Sequence, residues 1–179
     1  MIITITGKPG IGKTTVFTKV VNDVKQHGLV VGGFVCPEVR SGGVRVGFKI
    51  IDMMSGSQGW LARILDDCPN QLRVGRYCID VDDAVGIGVE AVMKAVNDAD
   101  LLCIDEIGPM ELKVGQLRDA IIYALGGSKN LLAVIHWRLN DPIITELLKT
   151  STKYEVTFSN RDFLPNIIVN ELLKNLRKH

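Results

Sequence analysis

Several polar residues in this chain are spaced for work on phosphate. Lys13-Thr14 close the run Gly7-Lys8-Pro9-Gly10-Ile11-Gly12, which fits the spacing G-x-x-x-x-G-K-[ST]. Gly7, Gly10 and Gly12 can take backbone angles closed to other residues, so consecutive N–H groups converge on one anion. In such a loop Lys13 reaches the β- and γ-phosphates of a nucleotide and the Thr14 hydroxyl ligates Mg²⁺, while Thr15 serves the α-phosphate. Asp105-Glu106 end the apolar run Leu101-Leu102-Cys103-Ile104. A carboxylate at such a strand end holds Mg²⁺ through water opposite Thr14, and a second one beside it orients and deprotonates an attacking water. Arg40 and Arg45, either side of Ser41-Gly42-Gly43-Val44, are placed to contact a γ-phosphate.

These residues need a frame. Ile2-Ile3-Thr4-Ile5-Thr6 is a β-branched run of the kind buried on both faces of a sheet. Val16, Phe17, Val20, Val21 and Val24 recur at helical spacing until Gly28. Strand, glycine loop and helix thus follow in the order phosphate binding requires. The helix start adds unpaired N–H groups and the positive end of its dipole.

Further on, Leu29–Cys36 predicts a strand bent at Gly32-Gly33, and Pro37–Asp52 a β-hairpin turning at Ser-Gly-Gly. Ser55–Pro69 fits a short strand or a helical turn equally. Val74–Val81 predicts a strand, and Asp82 or Asp83 the cap of a helix with Val85, Val89, Val92 and Val96 on one face. Ala99–Ile104 and Leu131–Ile135 are buried strands separated by a helix through Leu117, Ile121 and Leu125. Asp141-Pro142 opens a helix as N-cap and first helical residue. Tyr154–Phe158 is the last expected strand and Phe163–Leu176 the last helix. Alternating strands and helices mean one α/β domain over residues 1–179: three layers, a mainly parallel sheet covered by helices on both faces, and an antiparallel hairpin insertion beside the nucleotide loop. Ligands gather at the carboxyl ends of such strands.

Composition limits the alternatives. The net charge is +1, with 46% hydrophobic and 23% charged residues, ordinary for a soluble globular protein. Scattered charge gives no general attraction for nucleic acid or a membrane, though it leaves room for a local basic patch. No apolar run approaches the roughly 20 residues of a membrane span, and no secretion signal is seen at the N-terminus. Cys36, Cys68, Cys78 and Cys103 are far apart in sequence, which with a buried thiol at Cys103 suggests a reducing cytoplasm. No exposed apolar stripe marks an interface between copies.

Other readings compete for the same residues. Asp105-Glu106-Ile107-Gly108 also fits the D-x-x-G element of GTPases, but the N-K-x-D element that reads guanine is missing. A kinase passing the γ-phosphate to an acceptor stays open, since Arg40, Arg45, Arg63, Arg73 and Arg76 fall where small kinases keep their acceptor site. So does a nucleotide-gated binding protein whose slow hydrolysis acts as a timer.

The longer motifs separate these. The P-loop through Thr15, Glu38-Val39-Arg40, Gly42-Gly43-Val44-Arg45-Val46-Gly47-Phe48, Arg73-Val74-Gly75-Arg76-Tyr77, Asp105-Glu106-Ile107-Gly108-Pro109-Met110-Glu111-Leu112 and Asn160-Arg161-Asp162 span nearly the whole chain. Together they resemble the small nucleoside-triphosphatases of thermophilic prokaryotes that have a cancer-related homologue in vertebrates. The resemblance implies Mg²⁺-dependent hydrolysis of several ribonucleoside triphosphates with loose base choice. It implies a RecA-like sheet in which a strand, here Leu131–Ile135, lies between the P-loop strand and the Asp105 strand. His136 then stands at a γ-phosphate-sensing place, and Asn160 and Arg161 near the base. Cys36-Pro37 departs from the family's usual Thr-Glu, a change expected to shape the hairpin entry without touching the phosphate machinery.

Overall fold

The computed structural model describes residues 1–176. β1 (Ile2–Thr6) runs into the glycine loop and α1 (Lys13–Gln26) leaves it. α1 buries the predicted stripe of Val16, Phe17, Val20, Val21 and Val24, each contributing roughly 1.5–3 kcal/mol. β2 (Val31–Val35) follows, then the hairpin of β3 (Glu38–Ser41) and β4 (Val44–Asp52). The ambiguous stretch resolves as a strand, β5 (Gln58–Ile64).

Two expectations change after β5. The single strand expected over Val74–Val81 is a tight hairpin of β6 (Arg73–Val74) and β7 (Tyr77–Ile79), because Gly75-Arg76 turn the chain back. The next helix is capped by Asp80, which accepts from the Asp83 N–H at 3.3 Å, rather than by Asp82 or Asp83. Asp83 instead accepts the Trp60 N–H at 2.7 Å and so ties the helix to β5. This helix runs as α2 (Val81–Asp83), a π-helical stretch at Ala84–Val89 and α3 (Glu90–Asp98).

β8 (Leu101–Ile107) leads into α4 (Pro109–Lys113), which the apolar periodicity did not reveal, and α5 (Gly115–Gly126). β9 (Asn130–Ile135) precedes α6 (Pro142–Leu147), whose Asp141 cap accepts from the N–H groups of Ile143 and Ile144. β10 (Thr152–Glu155) starts and ends earlier than the expected Tyr154–Phe158, and α7 (Leu164–Leu176) follows. The early end has a local cause: the Asn160 side chain takes the Thr157 N–H at 2.8 Å and curls the chain away from the sheet.

All ten strands join one sheet, ordered β10-β1-β9-β8-β2-β4-β5-β7-β6 with β3 on β4. β10, β1, β9, β8 and β2 are parallel, and β9 does lie between β1 and β8. The antiparallel part is larger than the hairpin expected. β4 pairs with β2, so the excursion extends the main sheet through β5, β7 and β6. Alternating residues of β8 feed two cores: Leu102 and Ile104 face the α3 and α5 side, Leu101 and Cys103 the α1 and α7 side. At Gly33, with φ +104°, β2 passes so close to β8 that a Cβ would overlap the Cys103 carbonyl oxygen.

The cysteines correct another expectation. Cys68 and Cys78 form a disulfide, with Cα atoms 5.6 Å apart, because the β6–β7 hairpin folds Cys78 back beside the end of β5. Ten positions in sequence become neighbours through that turn. Cys103 is a buried free thiol, as expected.

Candidate active site

The glycine loop carries the backbone the spacing demands: φ is +144° at Gly7, +77° at Gly10 and +110° at Gly12. The Lys13 ammonium donates to the carbonyls of Gly7 at 3.0 Å and Lys8 at 3.4 Å, so it lies folded over the loop. From here a cleft of about 630 Å³ opens between the parallel sheet and its antiparallel extension. Pro9, Gly10, Lys13 and Thr14 form one wall, Asp105 and Glu106 the floor, and Arg45, Phe48, Glu111 and His136 line the rest.

Asp105 and Glu106 sit at the carboxyl end of β8, joined by a cis peptide bond, where the register with β9 also shifts. Asp105 is buried. Burial raises its pKa to about 6, opposed by the Thr14 hydroxyl and the Lys13 charge. Glu106 is raised further, to about 7, chiefly by burial, with Lys13 pulling it down and Asp105 pushing it up. A carboxylate that ionises near neutrality is suited to take a proton from water.

Mg²⁺ fits the donors present. Among the described residues no group of three or more His, Cys, Asp or Glu forms a protein cage for a metal. Mg²⁺ on a nucleotide does not need one, since phosphate oxygens and water fill most of its positions. One hydroxyl and one carboxylate, Thr14 and Asp105, line the same cleft, and the Thr14 hydroxyl helps to hold the Asp105 pKa down.

The two arginines part company. The Glu38 carboxylate binds Arg40 Nε at 2.6 Å and Arg45 Nη2 at 2.5 Å, and these guanidiniums, Arg40 first, hold its pKa below the ordinary range. Arg45 lines the cleft and lies 5.4 Å over the Phe48 ring. Arg40 donates to the Gly43 carbonyl at 2.9 Å and stays with the hairpin turn, outside the cleft lining. His136 lines the cleft, and its Nδ1 accepts the Arg138 N–H at 3.2 Å, which leaves the proton of the neutral ring on Nε2. Burial, then the charges of Lys13 and Arg138, hold its pKa down.

A family model described as NTPase matches residues 2–169. The chain belongs to this NTPase family. A nucleoside-triphosphatase THEP1 of Ignicoccus hospitalis is 46% identical over 160 residues, covering 89% of this chain and 90% of that protein. Another, of Methanopyrus kandleri, is 39% identical over 179 residues, 98% and 97% of the two chains. Two solved structures share the NTPase fold. The crystal structure of THEP1 from the hyperthermophile Aquifex aeolicus superposes with a TM-score of 0.82 at 30% identity, covering 96% of this chain and 99% of that one. The solution structure of a human cancer-related nucleoside triphosphatase gives 0.76 at 31% identity, with 94% and 96% covered.

The structure also brings to the cleft residues that spacing left out. Glu111 is buried, accepts the Gly108 N–H at 3.0 Å, and is raised to about 8 by burial. Its sign in the sequence was its place at the end of Asp-Glu-Ile-Gly-x-Met-Glu. Cys36 corrects the expectation that the Cys36-Pro37 departure avoids the phosphate machinery. Its N–H donates to the Asp105 carbonyl at 2.7 Å and it lines the cleft with Glu111, so it forms part of the cleft wall. Burial, with the acids around it, pushes its thiol up, so it stays protonated. Asn160 and Arg161 lie in the loop after β10 and outside the cleft lining; Asn160 bonds to Thr157 and Glu155 of its own loop, and Arg161 comes against Gly12.

Proposed function

We propose that this chain hydrolyses nucleoside 5′-triphosphates to the diphosphate and inorganic phosphate, with Mg²⁺ and with loose choice of base, ATP and GTP included. The observation that carries it is the meeting of Lys13 and Thr14 with Asp105 and Glu106 in one cleft, the last with its pKa near neutrality. The backbone from Gly7 to Thr15 cradles the phosphates and Lys13 spans the β- and γ-oxygens. Thr14 and Asp105 would hold Mg²⁺, which when bound neutralises charge on the phosphate oxygens. Glu106 accepts a proton from a water in line with the γ-phosphorus as the bond to the β-phosphate oxygen breaks; the proton then passes to the departing phosphate. Arg45 faces the γ-phosphate from the hairpin, and Arg40 holds Glu38, which in turn holds Arg45. Asn160 and Arg161 lie on the nucleoside side.

The relatives named as nucleoside-triphosphatases support this reading over a kinase or a timer protein. A cytoplasmic location, where triphosphates are made and used, goes with it. The Cys68–Cys78 bond does not oppose that location at high temperature, where intracellular disulfides are common.

The test is phosphate release from ATP, GTP, CTP and UTP, with Mg²⁺ and with EDTA, and with no acceptor but water. Release at an ordinary enzymatic rate, abolished by EDTA, is expected. Release that appears only on adding a polyol or a 5′-hydroxyl would replace the hydrolase by a kinase.

A further inference from the structure

The turn of the β3–β4 hairpin brings two positive charges together. Arg40 stands directly opposite Arg45 across the ladder, where the register shifts between Val39 and Arg40. Like charges directly opposite on neighbouring strands repel, so the pair needs an anion between them. Glu38 supplies it. Its Oε1 accepts from Arg40 Nε and its Oε2 from Arg45 Nε, both at 2.6 Å, and Arg45 Nη2 also reaches Oε2, at 2.5 Å.

The arrangement has the form of an anion site already filled. An arginine grips a carboxylate or a phosphate through a planar fork of N–H groups. On Arg45 the Nε and Nη2 edge of that fork is the one Glu38 occupies. Glu38 and Arg45 line the same cleft as Lys13 and Glu106, whereas Arg40 does not. The backbone of Arg45 is held by Arg76, whose Nη2 donates to its carbonyl at 3.1 Å, so its side chain can change partner while its strand stays in place.

We infer that Glu38 is an internal stand-in for the γ-phosphate: it holds the anion-binding edge of Arg45 in the free protein, and an incoming triphosphate takes that edge while Glu38 stays on Arg40. The exchange costs little, because Glu38 keeps one guanidinium and Arg45 gains a phosphate. The hold is also weak enough to yield, since 38% of the Glu38 side chain and 41% of the Arg45 side chain are open to solvent. A diphosphate lacks the group that reaches Arg45, so the exchange separates triphosphate from product. After cleavage Glu38 closes on Arg45 again and speeds the departure of inorganic phosphate. Glu38 is thus a positioning residue that acts through Arg45. The inference rests on the hydrolase reading, in which Arg45 faces the γ-phosphate.

The test measures affinity by calorimetry for the β,γ-imido analogue of ATP and for ADP, both with Mg²⁺. Glu38→Gln removes the competing charge and should tighten the analogue by about two- to fivefold, the worth of an exposed ion pair, and ADP by less than about 1.5-fold. The inhibition constant of inorganic phosphate should fall with it. In an Arg45→Ala background the gain from Glu38→Gln should vanish, because it passes through that guanidinium. Arg40→Ala carries the opposite sign: Glu38 loses its second partner and holds Arg45 harder, so the analogue should bind about twofold more weakly. Unchanged or weaker binding of the analogue or of phosphate by Glu38→Gln overturns the inference, because Glu38 then only props Arg45 in place. Equal tightening of ADP, or a gain that persists without Arg45, overturns it as well, since either is general relief of repulsion. Should Glu38→Gln fail to fold, the sign of the Arg40→Ala effect decides alone. Protein that shows these affinities but releases no phosphate sinks the hydrolase reading and leaves the exchange at Glu38 standing.

Discussion

Glu106 offers the sharpest test of the chemistry, because its protonation and its removal make separate demands. As the base it must be ionised. Burial raises its pKa from the usual carboxylate range to about 7, so the sign of the effect is loss of activity as pH falls through neutrality. At pH 8 about nine-tenths of the free protein carries the carboxylate, at pH 6 a little under one-tenth, so kcat/KM should fall about tenfold between them. Asp105, raised to about 6, steepens the fall below that. In the kcat profile the limb lies lower, since bound Mg²⁺ favours the ionised form. Glu106→Gln keeps the size of the side chain and removes the proton acceptor. A general base contributes about 10²–10⁴-fold, or about 3–5 kcal/mol of barrier, so kcat should drop by that factor while KM moves little. The assay is steady-state phosphate release from pH 5.5 to 9 at fixed Mg²⁺ and ionic strength. A Glu106→Gln rate within about threefold of the parent would falsify the base assignment. A neutral limb that persists unchanged in the variant would move it to another group, such as Glu111.

The remaining predictions follow from the same geometry. Arg45→Ala should lower kcat by about 10²-fold or more, because Arg45 lines the cleft, whereas Arg40→Ala should cost less than about threefold; equal losses would mean the cleft does not distinguish them. Reduction of Cys68–Cys78, or Cys68→Ser, opens a loop of ten positions and should cost about 3 kcal/mol, a fall in melting temperature of roughly 6–12 °C by calorimetry; a shift below about 1 °C counts against the bond. Gly33→Ala forces a Cβ into the Cys103 carbonyl between central strands and should destabilise by more than about 4 kcal/mol, read by urea denaturation, where a near-parental midpoint would contradict the close approach of β2 and β8.

Local chemistry was legible wherever it repeats along the chain. α1 and the buried β8 and β9 follow directly from apolar periodicity, and Asp141-Pro142 caps α6 as spacing requires. Reading failed where the determinant is a distant partner. Asp80, rather than the two acids after it, caps the next helix because Asp83 is drawn to the Trp60 N–H twenty-three positions back. β5 could not be told from a helical turn, since its strand character comes from pairing with β4 and β7. The disulfide was invisible because a two-residue turn at Gly75-Arg76, not spacing, brings Cys78 to Cys68.

The sequence by itself determined that this chain binds a polyphosphate and carries two tandem carboxylates to act on it. The glycine loop, Lys13-Thr14 and Asp105-Glu106 are short motifs whose chemistry lies in neighbouring residues. Tertiary structure alone decided which other groups share the cleft. Pairing of β4 with β2 carries Arg45 to the cleft and leaves Arg40 behind, and burial against β8 makes Glu111 and Cys36 part of the wall. It also set the protonation of Asp105 and Glu106, because a pKa depends on how much water the fold removes, and no spacing of residues states that.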